Sequence, residues 1–149
     1  KITIESSTKL SDEEVEKLNK RFDRIVLLDV FEHFSYFEGC RLLEILNKKL
    51  NKGGKIVLRM PNGASPFGLQ YQYNDLTHKA VYGPGSIRHL ALAAGFAVES
   101  CSSAHRGNRF KRAIEKFTLS IVKGLLTEPP PLWGANMIVV LTSSSKKGN

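Results

Sequence analysis

The chain has 149 residues, 42% of them hydrophobic and 24% charged, with a formal charge of +8, a balance that fits one globular domain with enough apolar surface for a core and excludes a chain disordered throughout. No apolar run approaches the roughly 20 residues needed to cross a bilayer, the opening residues do not read as a charged leader, and Cys40 and Cys101 lack metal-type spacing, so buried thiols in a reducing cytoplasm are expected. The charge is uneven, with 9 basic and 10 acidic side chains in residues 1–50 against 13 and 4 in the remainder. Such an excess fits an acidic partner or lipid surface as well as a solvated basic face, and the lack of an Arg/aromatic motif argues against nucleic acid.

Along the chain, Lys1 to Glu5 reads as a strand that opens without methionine, as expected of the later portion of a longer protein. Ser11 with Glu14 forms a capping box, and Leu10 can staple on Val15, which places a helix from Asp12 to about Arg21. Arg24 to Leu28 then reads as a strand, and the continuous apolar run Ile25 to Leu28 is expected to be covered on both sheet faces. Leu42, Leu43, Leu46 and Leu50 make the core stripe of a second helix, which Asn51-Lys52-Gly53-Gly54 stops.

Lys55 to Met60 is the next expected strand, ended by Pro61 and Asn62. Residues 61–83 form a connection long and aromatic enough to be functional. Pro84 opens a helix with apolar positions Ile87, Leu90, Ala91 and Ala94, closed by Gly95, and Phe96 to Ser100 is a strand. Phe110, Ile114, Phe117, Ile121 and Leu125 mark a basic amphipathic helix over 110–126, with core ranked ahead of a dimer or membrane surface as what faces its stripe. Met137 to Leu141 is the last strand, expected to pair antiparallel with its predecessor, and residues 143–149 read as a flexible tail on a domain of residues 1–142. Strands alternating with helices predict an α/β sheet layered by helices.

Polar groups crowd the end of one strand, where ligands of such sheets gather: Asp29, Glu32 and His33 follow Leu28 and Val30. Asp29 is equally suited to cap a helix. His33 and His78 are the candidate proton acceptors by residue type, and two carboxylates with two imidazoles (Asp29, Glu32, His33, His78) suit a divalent ion.

The runs Phe22-Asp23-Arg24-Ile25-Val26 to Phe31-Glu32-His33, Leu50-Asn51-Lys52-Gly53-Gly54-Lys55-Ile56-Val57-Leu58 to Pro61-Asn62, and Ile87-Arg88-His89-Leu90 to Ala94-Gly95-Phe96 resemble, in order and spacing, the later part of a class I S-adenosylmethionine-dependent methyltransferase. The resemblance implies a Rossmann-like sheet with helices on both faces, here lacking the family's first two strands and their glycine-rich cofactor loop, so that the sheet should show a gap. Gly53-Gly54 is no substitute, because a cofactor loop follows a strand and opens a helix. It also implies S-adenosylmethionine as cofactor, with Leu28, Asp29 and Val30 beside it, and a catalytic role for His33, His78 and Glu32. Tyr71, Tyr73 and Asn74 would line the acceptor side.

Asn74-Asp75-Leu76-Thr77-His78 before Tyr82-Gly83-Pro84 resembles methyltransferases of bacterial surface polysaccharides and sugars, which implies O-methylation of a sugar, glycan or other small hydroxyl acceptor. Asp29-x-x-Glu32-His33 with His78 is similar to the Glu-x-x-Glu-His plus distant His of metal-dependent O-methyltransferases, except that Asp29 replaces a Glu and shortens one ligand arm. A methyltransferase-like interaction module that binds an acidic partner or membrane through its basic helix is the competing reading. An NAD-binding domain is a third, against which the missing fingerprint counts equally.

Overall fold

The computed structural model describes residues 2–5, 15, 19–104 and 109–144. In chain order these form β1 (Ile2–Glu5), β2 (Phe22–Leu28), a 3-10 turn (Phe31–His33), α1 (Tyr36–Lys48), β3 (Leu50–Pro61), α2 (Leu69–Tyr73), α3 (Pro84–Ala93), β4 (Phe96–Ser103), α4 (Arg109–Leu125) and β5 (Asn136–Ser143). The helix expected over Asp12 to Arg21 lies outside the described residues, apart from Val15, which is helical and buried, and residues 19–21, which are not helical. Most of the expected tail, from residue 145 on, also lies outside them.

The sheet runs β1-β2-β3-β5-β4. The pairs β1/β2 and β2/β3 are parallel, while β5 inserts between β3 and β4 and runs antiparallel to both. The antiparallel pairing of the last two strands is therefore as expected. The expected gap is absent, because β1 pairs directly with β2, Ile2 opposite Ile25 and Glu5 opposite Leu28. An open parallel edge carries unpaired N–H and C=O groups, and the nearest extended segment satisfies them.

Cover on both sheet faces does not hold for β2. Ile25 and Leu27 are buried together with Ile56, Leu58 and Met60 of β3 and Met137, Val139 and Leu141 of β5, in one core with Leu42, Leu43 and Leu46 of α1 and Ile87 and Ala91 of α3. Their neighbours on the opposite face, Val26, Leu28, Val57, Arg59, Ile138 and Val140, are only half-buried. The period of two along a strand separates these faces, and the helices α1 and α3 fill only the first.

Local chemistry sets the ends of α1. Ser35 caps it: its Oγ accepts from the Glu38 N–H at 3.3 Å, and its own N–H donates to Glu38 Oε2 at 2.8 Å. Gly39 lets the helix approach the aromatic pair behind it, since a Cβ there would stand 2.9 Å from Tyr82 Oη and 3.0 Å from Phe31 Cζ. Leu50, expected in the helical stripe, instead begins β3 opposite Phe22. Gly53, expected to stop the helix, uses its left-handed backbone (φ 75) where the β2/β3 register jumps from Leu50 to Lys55.

The stripe of α4, ranked as core, is in fact exposed: Phe110 is 73% accessible, Ile114 52%, Phe117 70%, Ile121 53% and Leu125 80%. Spacing fixes which side chains share a face, not what covers them. Among the described residues, no helix is long and apolar enough to cross a membrane.

Candidate functional site

Beyond the carboxyl end of β2 the backbone turns through Asp29, the one non-glycine residue with positive φ (54) among those described. Asp29 donates its N–H to the Arg59 carbonyl at 2.9 Å, and its carboxylate receives Arg59 Nε at 3.0 Å and a second bond from Nη2. A costly left-handed residue is thus pinned by a bidentate cation from the neighbouring strand. This corrects Asp29 as a ligand in a four-residue metal set, because its carboxylate is committed to Arg59. Nor does it cap a helix, since Val30 occupies that position of the 3-10 turn.

The turn delivers Glu32 and His33, and the 61–83 connection folds back to deliver His78. Glu32, His33 and His78 each offer one ligand atom, all within 4.8 Å of one another. Glu32 is 2% exposed, its Oε2 has no hydrogen-bond partner, and its Oε1 lies 4.0 Å from His78 Nε2. Burial pushes the Glu32 carboxyl up to about 7, with Asp29 adding to the rise.

Hydrogen bonds orient both imidazoles. His78 Nδ1 lies 3.0 Å from the Gln72 carbonyl and donates to it, which in the neutral ring leaves the lone pair on Nε2. Thr77 Oγ1 donates to Asp75 Oδ1 at 2.6 Å and accepts from His33 Nδ1 at 2.9 Å, which in the neutral ring leaves the lone pair of His33 on Nε2 as well. The two rings meet edge to face with centroids 4.8 Å apart. Asp75 Oδ2 lies 3.7 Å from His78 Nε2, and the Thr77 hydrogen bonds hold the Asp75 carboxyl below its usual range.

The supports of this cluster carry no strong sequence signal. Gln72 is buried on α2 and donates from Nε2 to the Ala80 carbonyl at 3.0 Å. Tyr82 Oη donates to the Phe34 carbonyl at 3.0 Å, and burial pushes its phenol pKa upward. Arg59 alone could have been noticed, as the one charge between Ile56 and Met60 in an apolar strand.

Of the other candidates, Leu28 and Asp29 are half-buried and Val30 is buried at the strand end. Tyr71 and Tyr73 flank Gln72 but are themselves 48% and 68% exposed, and Asn74, the C-cap of α2, is exposed. The structure brings Glu32, His33 and His78 together, and Tyr71 and Tyr73 stay exposed.

The family model described as "Methyltransferase domain" matches residues 3–101. No curated protein matches the sequence. Among solved structures, a SAM-dependent methyltransferase from Archaeoglobus fulgidus aligns with TM-score 0.67 and 18% identity, over 89% of this chain and 64% of that one. An S-adenosylmethionine-dependent methyltransferase from Clostridium acetobutylicum ATCC 824 gives 0.57 and 9%, over 88% and 63%. Magnesium protoporphyrin IX methyltransferase (ChlM) from Synechocystis PCC 6803, with bound SAH, gives 0.51 and 14%, over 87% and 48%. The chain thus spans less than two thirds of the length of each of these three, and at these identities the likeness is one of fold.

Proposed function

Because the chain belongs to the methyltransferase-domain family, we propose that it takes part in methyl transfer from S-adenosylmethionine to a hydroxyl group of a sugar, glycan or other small acceptor. The observation that carries this reading is the pair of oriented imidazoles of His33 and His78 beside buried Glu32, at the carboxyl end of a parallel strand. An alcohol is a poor nucleophile until its proton leaves, and a neutral imidazole lone pair held beside a carboxylate is suited to take it.

The cofactor fit is partial. Leu28, Asp29 and Val30 form a strand end that would face the amino-acid part of the cofactor, with the Asp29 turn fixed by Arg59. Among the described residues, no strand-to-helix loop carries a Gly-x-Gly pattern, and Gly83-Pro84-Gly85 opens α3 after a coil. The other wall of such a site would come from residues beyond those described. When bound, S-adenosylmethionine supplies a methyl group on a sulfonium sulfur.

This chain's own part is then to bind, orient and deprotonate. His78 accepts the acceptor's proton at Nε2, while Nδ1 stays bound to the Gln72 carbonyl. Asp75, whose carboxylate lies 3.7 Å from Nε2, stabilises the imidazolium that forms. Tyr71, Tyr73 and Asn74 offer exposed aromatic and amide surface beside the cluster for the acceptor.

A divalent ion is the second reading, favoured by one observation: the buried, unpartnered Oε2 of Glu32 among two imidazoles whose second nitrogens are already fixed. Glu32, His33 and His78 would hold it, and it would lower the pKa of a bound hydroxyl.

The test is methyl transfer by the complete protein with labelled cofactor and a panel of sugar hydroxyl acceptors. His78→Ala is expected to lower turnover by roughly a hundredfold or more, with an unfolding midpoint close to that of the parent. Equal turnover in variant and parent would remove the base. Activity that survives a chelator supports the metal-free reading, and loss restored by Mn²⁺ or Zn²⁺ supports the ion.

A further inference from the structure

The apolar stripe of α4 is not used by the site. The helix spans 17 residues, about 25 Å at the usual rise, and its described side chains are exposed except at half-buried Leu119 and Val122. Phe110, Ile114, Phe117, Ile121 and Leu125 follow one another at steps of three or four residues and share one face, away from Leu119. The helix is thus turned with its widest apolar surface outward.

Its polar arc has one sign. Arg109, Arg112, Lys116 and Lys123 stand against Glu115 as the one acid among the described side chains. Arg109, Arg112 and Lys116 line a common shallow hollow with Ala113. A surface that is anionic at its face and apolar just beneath it complements both halves at once.

We propose that α4 is an interfacial helix that lays its Phe110–Leu125 stripe into an anionic lipid surface, holding the domain against a membrane without crossing it. Long arginine and lysine side chains keep their cations at headgroup level while their stems lie on the apolar layer. The proposal does not rest on the chemistry of Glu32, His33 and His78, so either can fail alone.

Flotation of the complete protein with vesicles of equimolar phosphatidylcholine and phosphatidylglycerol tests it, with phosphatidylcholine vesicles as reference. Binding is expected to the anionic vesicles, roughly tenfold or more weaker to the neutral ones, and reduced by added salt. The double variant Phe117→Glu/Ile121→Glu should abolish binding at an unchanged melting temperature, because both side chains are exposed and support no core. The double variant Arg112→Ala/Lys116→Ala should weaken binding by roughly tenfold or more and leave the stripe intact. Failure to bind anionic vesicles, binding indifferent to Phe117→Glu/Ile121→Glu, or a dimer in sedimentation that this variant dissolves while vesicles stay unbound would each overturn the proposal.

Discussion

Glu32 is a buried acid whose charged form the fold disfavours, and that has a thermodynamic consequence. Its pKa is about 7 in the folded chain against an ordinary value of 4.5, so the native state holds the proton more tightly than the unfolded state does. Stability from this group is therefore full below the unfolded value and falls as pH rises towards the folded one, by about 3 kcal/mol in all. Urea unfolding in the presence of chelator, at about pH 5 and about pH 8, is expected to show that loss, and Glu32→Gln should flatten it. An unchanged slope in the variant would assign the pH dependence to other groups. Glu32, His33 and His78 were legible because ligand-type side chains follow an apolar run and recur in a long loop. The Asp29–Arg59 pair was not legible for a physical reason: Arg59 stands 30 residues away from Asp29, and only the parallel register brings the two together. Gln72 and Thr77 were invisible because they act through a carbonyl and a hydroxyl that any loop residue of that type could offer.

Helices and strands were legible wherever their period was strong, and their ends where capping chemistry was read. Ser35-x-x-Glu38 is the same capping-box pattern as Ser11-x-x-Glu14. In the structure this box starts α1, and Lys79 joins it by donating to Glu38 at 3.0 and 3.1 Å. Bonds from the Ser35 backbone and from Lys79 hold the Glu38 carboxyl down to about 2. Ser35→Ala is expected to cost about 1 kcal/mol in denaturant unfolding, since the first-turn N–H groups lose their side-chain acceptor. A value near zero would mean that water or the Lys79 contact serves the helix end equally well. Leu50 teaches the limit of such patterns: it fits the helical stripe by spacing, but α1 ends at Lys48 and pairing with Phe22 claims it for β3. In α4 the stripe was read correctly and its surroundings were not.

At the scale of the molecule, the α/β class was legible and the sheet order was not, since alternation of elements says nothing about which edge a strand joins. Nor did a run such as Ile25 to Leu28 reveal that its two faces differ. The structure makes Leu58 wholly buried in the core shared with α1 and α3, while Val57, the preceding residue, faces the half-covered side. If one face carries the fold, adjacent truncations should differ sharply. Leu58→Ala is expected to cost about 2–5 kcal/mol from lost transfer energy and the cavity left behind. Val57→Ala, with part of its surface already in water, should cost about 1 kcal/mol or less. Equilibrium unfolding of both variants in urea measures the asymmetry. A Val57→Ala loss as large as that of Leu58→Ala would mean that the second face is filled in solution by chain outside the described residues.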